Sequence, residues 1–400
     1  MVNNNRESSL SKIAMFVLAL YPLLHWYDVG LPIGLGSILM LFISFAVIAK
    51  GDFNFRVYPF FFLIVWIYVL LHWYKFNFSF NWMDLLPGGI IFFIFAINFG
   101  AGIALFNIDY LKKYMRIVVI LAIVIFLFQF LMLLFTNVRF CFVPNLTGAF
   151  TYENMTYSEI AARHLSEILP CAFFLEKSYM AYYLVIFLVL ELFYGKGKEV
   201  LFSKLSIVIF ITLLLLRSGS GLVGMVIPVV AKCLSYSWNK KSFRYPVIVL
   251  SLSLISLGLY LYVGTDLGAS MLNRKDEITT EGTSGFSRIM YGYIYYERLD
   301  SFQKLFGISV SDVNDLIYLS YADKKFALNG IQAPLIQLGA IGLMIWIMFY
   351  LRVFISTNVC GKIAILCFFI LSAIEVTYLG PYMLILSIIP SANMYQKSLK

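Results

Sequence analysis

Residues 114–135 read YMRIVVILAIVIFLFQFLMLLF, and Arg116 is the one charged residue in this apolar run. A helix of about 20 predominantly apolar residues crosses the ~30 Å hydrocarbon core of a membrane. The run contains no regular polar stripe that would give a helix a face for water. It therefore predicts a membrane-spanning helix.

The same pattern recurs along the whole chain of 400 residues. Hydrophobic residues make up 61% and charged residues 13%, with a mean hydropathy of +0.86, and a water-soluble fold of this composition would aggregate. We expect an all-α polytopic integral membrane protein with about 12 transmembrane helices, forming a single transmembrane domain over residues 1–400. The predicted spans lie near residues 13–29, 32–49, 57–74, 85–106, 114–135, 178–194, 200–217, 219–235, 245–264, 331–351, 362–377 and 379–394.

The basic residues indicate the orientation. The net charge is +9, and Lys and Arg gather in alternate connections, as the positive-inside rule expects if the N-terminus is cytoplasmic. The C-terminus is then cytoplasmic too, and two long segments, residues 136–177 and 265–328, are extracytoplasmic. Because no basic face is interleaved with aromatic residues, we expect no nucleic-acid partner. The turn at residues 377–381 is either a full loop or a re-entrant turn.

The two long outer segments are the candidates for function, since long structured loops in compact proteins usually carry it. In the first, the apolar residues 165–175 are too few to span a membrane and are expected to pack at the interface. In the second, apolar and aromatic side chains at near-helical spacing predict an amphipathic helix on the outer membrane surface. Those side chains are Ile289, Tyr293, Tyr296, Leu299 and Leu305.

Cysteine and histidine form no metal-binding pattern. The five cysteines include no CxxC pair and the three histidines no HExxH motif, so we expect neither a metal nor a cofactor. Cys141 and Cys171 share the first outer segment, where an oxidising compartment permits a disulfide. Isolated cysteines are the more frequent case, and the sequence leaves both alternatives open.

Gly219, Gly221 and Gly224 spell GxGxxG, but their flanks are membrane helices and not the strand that a dinucleotide-binding turn requires. We interpret them as a tight outer turn that allows close helix packing. Arg217 directly precedes this turn. Its guanidinium either extends to water or holds an anionic group such as diphosphate, whose oxygens suit planar paired donors.

Further candidate residues border the outer segments. Arg163 and Glu176 flank the apolar piece 165–175, and solvated interface charges are the alternative interpretation. Asn329 follows the second outer segment and opens the span that carries Gly339 and Gly342. Small residues there let a helix or a lipid headgroup approach the backbone, although packing alone explains most such glycines.

Four short motifs together resemble a family. They are FFLEKSYMAYY at 173–183, RSGSG at 217–221, Ser287-Arg288 followed by LFG at 305–307, and Leu328-Asn329 with Gly339 and Gly342. In order and membrane placement they resemble the Wzy-type bacterial O-antigen and capsule polymerases, which share a superfamily with the O-antigen ligases. The resemblance covers residues 163–342. The chain departs from the pattern at Leu328, where a His is frequent, and at Lys177, where a Pro is frequent.

The resemblance implies a metal-independent glycosyltransferase of the bacterial inner membrane, with its active site facing the periplasm or cell exterior. It would transfer a growing glycan from undecaprenyl diphosphate to the next lipid-linked repeat unit, and a chain-length regulator protein is a further expected partner. Arg217 and Arg288 would hold the diphosphate, with Arg163 as a third donor and Asn329 as a further substrate contact. Glu176 would serve the acceptor hydroxyl, with Glu153 and Asp323 in reserve.

Two other functions remain open. An O-antigen ligase would move the finished glycan to a lipid A core, but ligases depend on the His that Leu328 replaces here. A lipid-linked oligosaccharide flippase or other transporter would be expected to show internal repeats and charges deep within the spans. The sequence shows no such repeat, and its two long outer segments favour chemistry at the membrane surface.

Overall fold

The computed structural model describes residues 9–31, 33–50, 82–101, 106–195, 200–239, 286, 289–308, 328–374 and 380–398. This part of the chain is mostly helical, and its only β-structure consists of isolated bridges. The all-α prediction is confirmed for these residues. In chain order the helices are α1 (Ser9–Leu24), α2 (Leu35–Lys50), α3 (Trp82–Ala101), α4 (Ile108–Thr136), α5 (Tyr157–Ser166), α6 (Lys177–Phe193), α7 (Lys204–Leu216), α8 (Gly219–Asn239), α9 (Tyr291–Glu297), α10 (Ser301–Phe306), α11 (Gln332–Ser356), α12 (Val359–Ile374) and α13 (Pro381–Ser398).

The long helices overlap the predicted spans wherever the structure describes them. The predicted spans near 57–74 and 245–264 lie outside the described residues, as does most of the segment 265–328. Within the described part, α4 and α11 are long and apolar enough to cross a membrane by length and composition, and the other apolar helices are shorter. The number of spans and their topology therefore stay predictions.

Helix α6 lies at the centre of the bundle. Every residue from Met180 to Phe193 is buried, including Glu191. The helix packs against α4, α7, α8, α12 and α13. A helix that is apolar on all sides belongs in an interior of this kind, because no face of it gains from exposure to water.

Close contacts bring several helix ends together at one end of the bundle, which we call the loop end. A Cβ added at Gly221 of α8 would lie 2.5 Å from Cβ of Ala181 in the first turns of α6. One at Gly224 would lie 2.9 Å from a methyl group of Leu371, near the end of α12. The prediction that these glycines allow close helix packing is confirmed. The backbone N–H of Gly330, just before α11, donates to the carbonyl of Ser372 at 2.6 Å.

The opposite end, which we call the basic end, holds the C-terminus of α6. Nζ of Lys112 donates to the carbonyl of Tyr194 at 3.0 Å and lies 3.1 Å from the Glu191 carboxylate. Nζ of Lys232, itself 3% exposed, donates to the carbonyl of Leu192 at 3.1 Å. Cations near the last carbonyls of a helix are favourable, because these groups lack partners within the helix and carry the negative end of its dipole.

Charge is distributed unevenly between the two ends. Among the side chains that the structure describes, the basic end has two acidic ones, those of Asp109 and Glu191. The basic side chains described there are those of Lys12, Lys112, Lys113, Arg116, Lys204, Lys232, Arg352 and Lys362. At the loop end the acidic and basic side chains that the structure describes are nearly balanced. They are Asp28, Glu153, Glu159, Glu167, Glu176, Glu297 and Asp300 against Arg139, Arg163, Lys177, Arg217, Arg298 and Lys304.

Several helices turn large apolar side chains outward. On α4 these side chains recur every three or four residues, up to Phe135 with 78% exposure. Similar rows run along α8 and α11. They comprise Ile117, Leu121, Val124, Phe128, Leu131 and Leu134 on α4, Val223, Val226, Val230 and Leu234 on α8, and Met344, Ile347, Met348, Leu351 and Ile355 on α11. Contiguous apolar surface of this extent is rare on proteins that face water.

The first long outer segment folds onto the loop end. Its residues Val143, Phe150, Ile160 and Leu175 form a small apolar cluster with Tyr27, which follows α1. The apolar piece 165–175 is not one continuous helix, since α5 ends at Ser166 and the chain then buries Cys171 and Ala172, and its position at a membrane interface stays a prediction. All five cysteines are free thiols, so the alternative of a disulfide between Cys141 and Cys171 is not what the structure shows.

The second outer segment contains two short helices where one amphipathic helix was predicted. Helices α9 and α10 are separated at residues 298–300. The break has a local cause, because the Asp300 side chain accepts from the N–H of Gln303 and the Gln303 side chain accepts from the N–H of Asp300. Tyr291 and Tyr295 are buried against the protein, while Tyr293 and Leu305 are exposed, and the predicted position of these exposed side chains on the membrane surface stays a prediction.

Gly339 interrupts α11. Its φ of 67° and ψ of −177° are non-helical, and the chain is helical on both sides of this kink. The break lets the chain after α10 lie directly against α11, where the N–H of Ile308 donates to the carbonyl of Ile336 at 2.9 Å. A Cβ on Gly339 would lie 2.3 Å from the carbonyl oxygen of Leu305. The glycine that was expected to aid packing is therefore required for this close approach.

Candidate functional site

A tight hairpin at the loop end carries the first part of the candidate site. Ala149 and Thr156 form a β-bridge, and the N–H of Phe150 donates to the carbonyl of Met155 at 2.8 Å. The chain reverses through Glu153 and Asn154, which have φ values of 52° and 53°. Two successive left-handed residues are typical of a type I′ hairpin turn. For a Glu this backbone costs roughly 1–2 kcal/mol, so the surrounding contacts must compensate for it.

The hairpin brings Tyr152 to Glu176. The Tyr152 hydroxyl donates to Oε1 of Glu176, and the Ser178 hydroxyl donates to Oε2 at 3.2 Å. Both carboxylate oxygens therefore have a fixed neighbour. Burial raises the pKa of Tyr152 well above its usual range, and the charges of Glu176 and Glu153 raise it further. The phenol consequently keeps its proton at neutral pH and acts as a donor to the carboxylate.

Arg163 pairs with the tip of the same hairpin. Its guanidinium lies 3.1 Å from the Glu153 carboxylate, with both side chains partly exposed. The same group contacts Sδ of Met155 at 3.4 Å. Exposed ion pairs contribute about 1 kcal/mol or less, so this one orients the hairpin more than it stabilises the fold. The structure thus places Arg163 beside Glu153 and connects Glu176 to the same hairpin through Tyr152.

Two aromatic rings contact Tyr152 and also line a shallow cleft that reaches Leu175, the residue before Glu176. Trp26 stacks on Tyr179 with ring centroids 5.2 Å apart and meets Tyr152 edge-on at 5.6 Å. Tyr382, at the start of α13, stacks on Tyr179 at 6.1 Å. The cleft is lined by Trp26, Tyr179 and Tyr382 together with Tyr27, Val143 and Phe173. The chain after α1 and the first turns of α6 and α13 therefore meet at this cleft.

The backbone leading to Glu176 is held by Gln129, a polar residue inside the apolar run of α4. Its side chain accepts from the N–H of Ala172 at 2.7 Å and donates to the carbonyl of Phe140 at 2.8 Å. Ala172 has a φ of 56°, which is unusual for a residue with a side chain. The buried amide thus fixes a strained turn four residues before Glu176.

His164 supports the same stretch from α5. Its Nε2 lies 3.1 Å from the carbonyl oxygen of Leu175, so this nitrogen carries the proton and donates to the residue that precedes Glu176. The imidazole is 3% exposed. Burial lowers the pKa of His164, while the hydrogen bond to Leu175 opposes that effect. The folded protein therefore favours a neutral His164.

We expect this histidine to make stability depend on pH. An unfolded histidine protonates near pH 6.5, so below that pH the unfolded state binds more protons than the folded state. Stability is then complete above about pH 6.5 and falls as the pH drops toward the lowered folded-state pKa, by at most about 1.4 kcal/mol per pH unit. Melting temperatures in detergent should fall more steeply with decreasing pH for the wild type than for His164→Gln. Parallel curves for the two proteins would contradict the assignment.

Arg217 ends α7 and is exposed at the loop end. Its φ is 52°, and its N–H donates to the carbonyl of Leu214 at 3.3 Å, which turns the chain directly into α8. Because Gly221 touches Ala181, Arg217 lies at the same end of α6 as Glu176, each within about two helical turns of that contact. The structure thus brings these two predicted site residues to one end of the bundle.

Asn329 has a structural role. Its side-chain oxygen accepts from the N–H groups of Ile331 and Gln332 at 3.0 Å and 2.9 Å, and Oε1 of Gln332 accepts from the N–H of Asn329 at 3.3 Å. This reciprocal arrangement starts α11. The predicted contact of Asn329 with substrate is not needed to explain the residue. Arg288 and Asp323 lie outside the described residues.

Sequence reasoning missed Tyr152 and Gln129. Gln129 could have been found, since a polar amide within residues 114–135 must find partners in a low-dielectric interior. Tyr152 gave no signal, because its partner lies 24 residues away across a loop. Among the described residues, no group of three or more His, Cys, Asp or Glu is arranged to hold a metal ion.

Comparison with known proteins leaves the site to be judged on its geometry. No family model matches the chain, and no curated protein is significantly similar to it in sequence.

Proposed function

We propose that this protein is a multi-pass membrane glycosyltransferase that polymerises a bacterial surface polysaccharide, an O-antigen or a capsule. The observation that carries the proposal is the carboxylate of Glu176, which Tyr152 and Ser178 hold at the end of the bundle that also carries the exposed Arg217. Transfer of a glycan from a diphosphate carrier to a hydroxyl requires a fixed proton acceptor and a cation at the same membrane surface.

The outward apolar rows on α4, α8 and α11 support a membrane location. Lipid-facing helices bear such rows because hydrocarbon does not penalise exposed apolar side chains. The excess of Lys and Arg at the basic end supports a cytoplasmic position for that end and an extracytoplasmic position for the loop end. In this proposal about 12 helices cross the bacterial inner membrane, both termini are cytoplasmic, and the site faces the periplasm or the exterior.

In the proposed reaction the acceptor hydroxyl of a lipid-linked repeat unit attacks the anomeric carbon of the growing glycan. The bond from that carbon to undecaprenyl diphosphate breaks, and a glycosidic bond forms. Glu176 accepts the hydroxyl proton, and Arg217 together with Arg288 meets the negative charge that develops on the diphosphate. Arg163, paired with Glu153, lies on the hairpin and serves as a third cation near the entering substrate.

The test is the glycan ladder on a gel from cells that lack the gene. The cells are complemented with wild type, Arg217→Ala, Arg288→Ala or, as a matched control at the basic end, Arg352→Ala. Deletion should leave single repeat units on the acceptor, and Arg217→Ala should shorten the chains at normal membrane expression. Arg352→Ala should restore full-length chains.

Other outcomes identify other functions. If deletion leaves full-length chains that are not attached to their acceptor, the protein is a ligase. If lipid-linked repeat units accumulate only at the cytoplasmic face, it is a flippase. A ladder that is unchanged by deletion contradicts all three assignments.

A further inference from the structure

We infer that Tyr152 is the positioning residue of Glu176, and that the tight hairpin turn at Glu153 and Asn154 serves to deliver its hydroxyl to that carboxylate. The inference rests on the proposed function, in which Glu176 accepts the proton of the attacking sugar hydroxyl. It adds a residue that neither the motifs nor the spacing of the sequence indicated.

The orientation of Glu176 is the first argument. The residue occupies the N-cap position of α6, yet its side chain makes no capping hydrogen bond. The shorter side chains of Asp, Asn, Ser and Thr at this position accept from the free N–H groups of the first helical turn, which stabilises a helix by about 1 kcal/mol, and Glu176 does not do so. Here it turns away from those groups and toward Tyr152 and Ser178. Capping of α6 therefore does not explain the orientation of the carboxylate, and the distant Tyr152 contributes to it beside the local Ser178.

The backbone of the hairpin is the second argument. A left-handed Glu153 costs free energy that a glycine at the same position would avoid. Strain of this kind persists only where the surroundings compensate for it, and it concentrates at functional sites. Arg163 orients the hairpin through its ion pair with Glu153, and the hydrogen bond between Tyr152 and Glu176 adds to what compensates for the strain. The turn thus places Tyr152 on one side and a charged pair on the other.

The surroundings of the phenol ring are the third argument. Trp26 and Tyr179 both meet the ring edge-on, with centroids 5.6 Å and 6.2 Å from that of Tyr152. The ring is therefore fixed before any substrate binds. Preorganised donors are effective because they need no rearrangement at the moment of reaction. The Tyr152 hydroxyl at Oε1 and the Ser178 hydroxyl at Oε2 together fix the plane of the Glu176 carboxylate.

The test uses the purified full-length protein in lipid nanodiscs, with lipid-linked repeat units extracted from cells that lack the gene. Tyr152→Phe keeps the ring and removes the hydroxyl. We expect kcat for elongation to fall on the order of tenfold to a hundredfold while KM changes little, since misplacing a reacting group by about 1 Å has effects of that size. Tyr157→Phe, in the same outer segment, is the matched control and should leave kcat unchanged.

A double-mutant cycle separates positioning from a structural role. In the Glu176→Gln background, Tyr152→Phe should cause no further loss of kcat, because the two residues act as a unit. Additive losses, or a higher KM and a lower melting temperature at unchanged kcat, would overturn the inference and leave the proposed function intact. Full activity of Glu176→Gln, by contrast, would remove the proposed role of Glu176 and the inference with it.

Discussion

Replacing Glu176 by glutamine is expected to slow chain elongation at least a hundredfold, within the range of about 10²–10⁴ that a positioned acid or base contributes. The amide has the shape of the carboxylate and can still accept from the Tyr152 hydroxyl, so the hairpin should remain in place. What it loses is the ability to accept a proton. The measurement is the initial rate of elongation by purified protein, at equal amounts of folded protein.

The matched control for this variant is Glu167→Gln. Glu167 is an exposed carboxylate in the same outer segment, directly after α5, and should tolerate the change without loss of rate. If Glu176→Gln elongates at the wild-type rate, Glu176 is not the acceptor. Glu153, on the other side of Tyr152, is then the next carboxylate to replace.

Replacing Gly339 by alanine is expected to cause a large loss of stability. A φ of 67° with a ψ of −177° is a conformation that glycine alone adopts readily. The new Cβ would also lie 2.3 Å from the carbonyl oxygen of Leu305 and 2.5 Å from the nitrogen of Gly307, both backbone atoms that cannot rotate away. Together these effects should cost more than about 3 kcal/mol.

The readout is the melting temperature in detergent, with Gly89→Ala as the control. Gly89 lies in α3, and a Cβ there would meet nothing within 4 Å. Alanine is favoured over glycine in a helix by roughly 0.5–1 kcal/mol, so the control should melt at or slightly above the wild-type temperature. A Gly339→Ala protein that melts with the wild type would contradict the crossing of the two backbones at Leu305.

The positions of the helices could be predicted because apolar runs have few alternatives to helix formation. A backbone in apolar surroundings must satisfy its own hydrogen bonds, so a run such as residues 114–135 becomes a helix wherever it packs. The observed helix ends differ from the predicted span ends where a polar side chain caps the helix. The span predicted at 200–217 begins as a helix at Lys204, because the Ser203 side chain accepts from the N–H of Ser206 and caps the first turn.

The sequence of the second outer segment contains a local signal for the break between α9 and α10. Asp300 and Gln303 form the sequence pattern of a capping box, which starts a new helix. The spacing of the apolar residues from Ile289 to Leu305 predicts one amphipathic helix, whereas the capping-box pattern divides this helix at Asp300. The Tyr152–Glu176 hydrogen bond is of another kind, because it depends on how a loop folds back over the bundle and no local pattern encodes it.

The enclosure of α6 has a mechanical consequence. Glu176 lies at one end of this helix. At the other end the ammonium groups of Lys112 and Lys232 donate hydrogen bonds to the carbonyls of Tyr194 and Leu192. A helix surrounded by protein on all sides moves along its axis only as a rigid rod, and this one is about 26 Å long. The hydrogen bonds from the two lysines therefore fix the axial position of α6. Through this helix they also fix the position of the Glu176 carboxylate at the opposite end of the bundle.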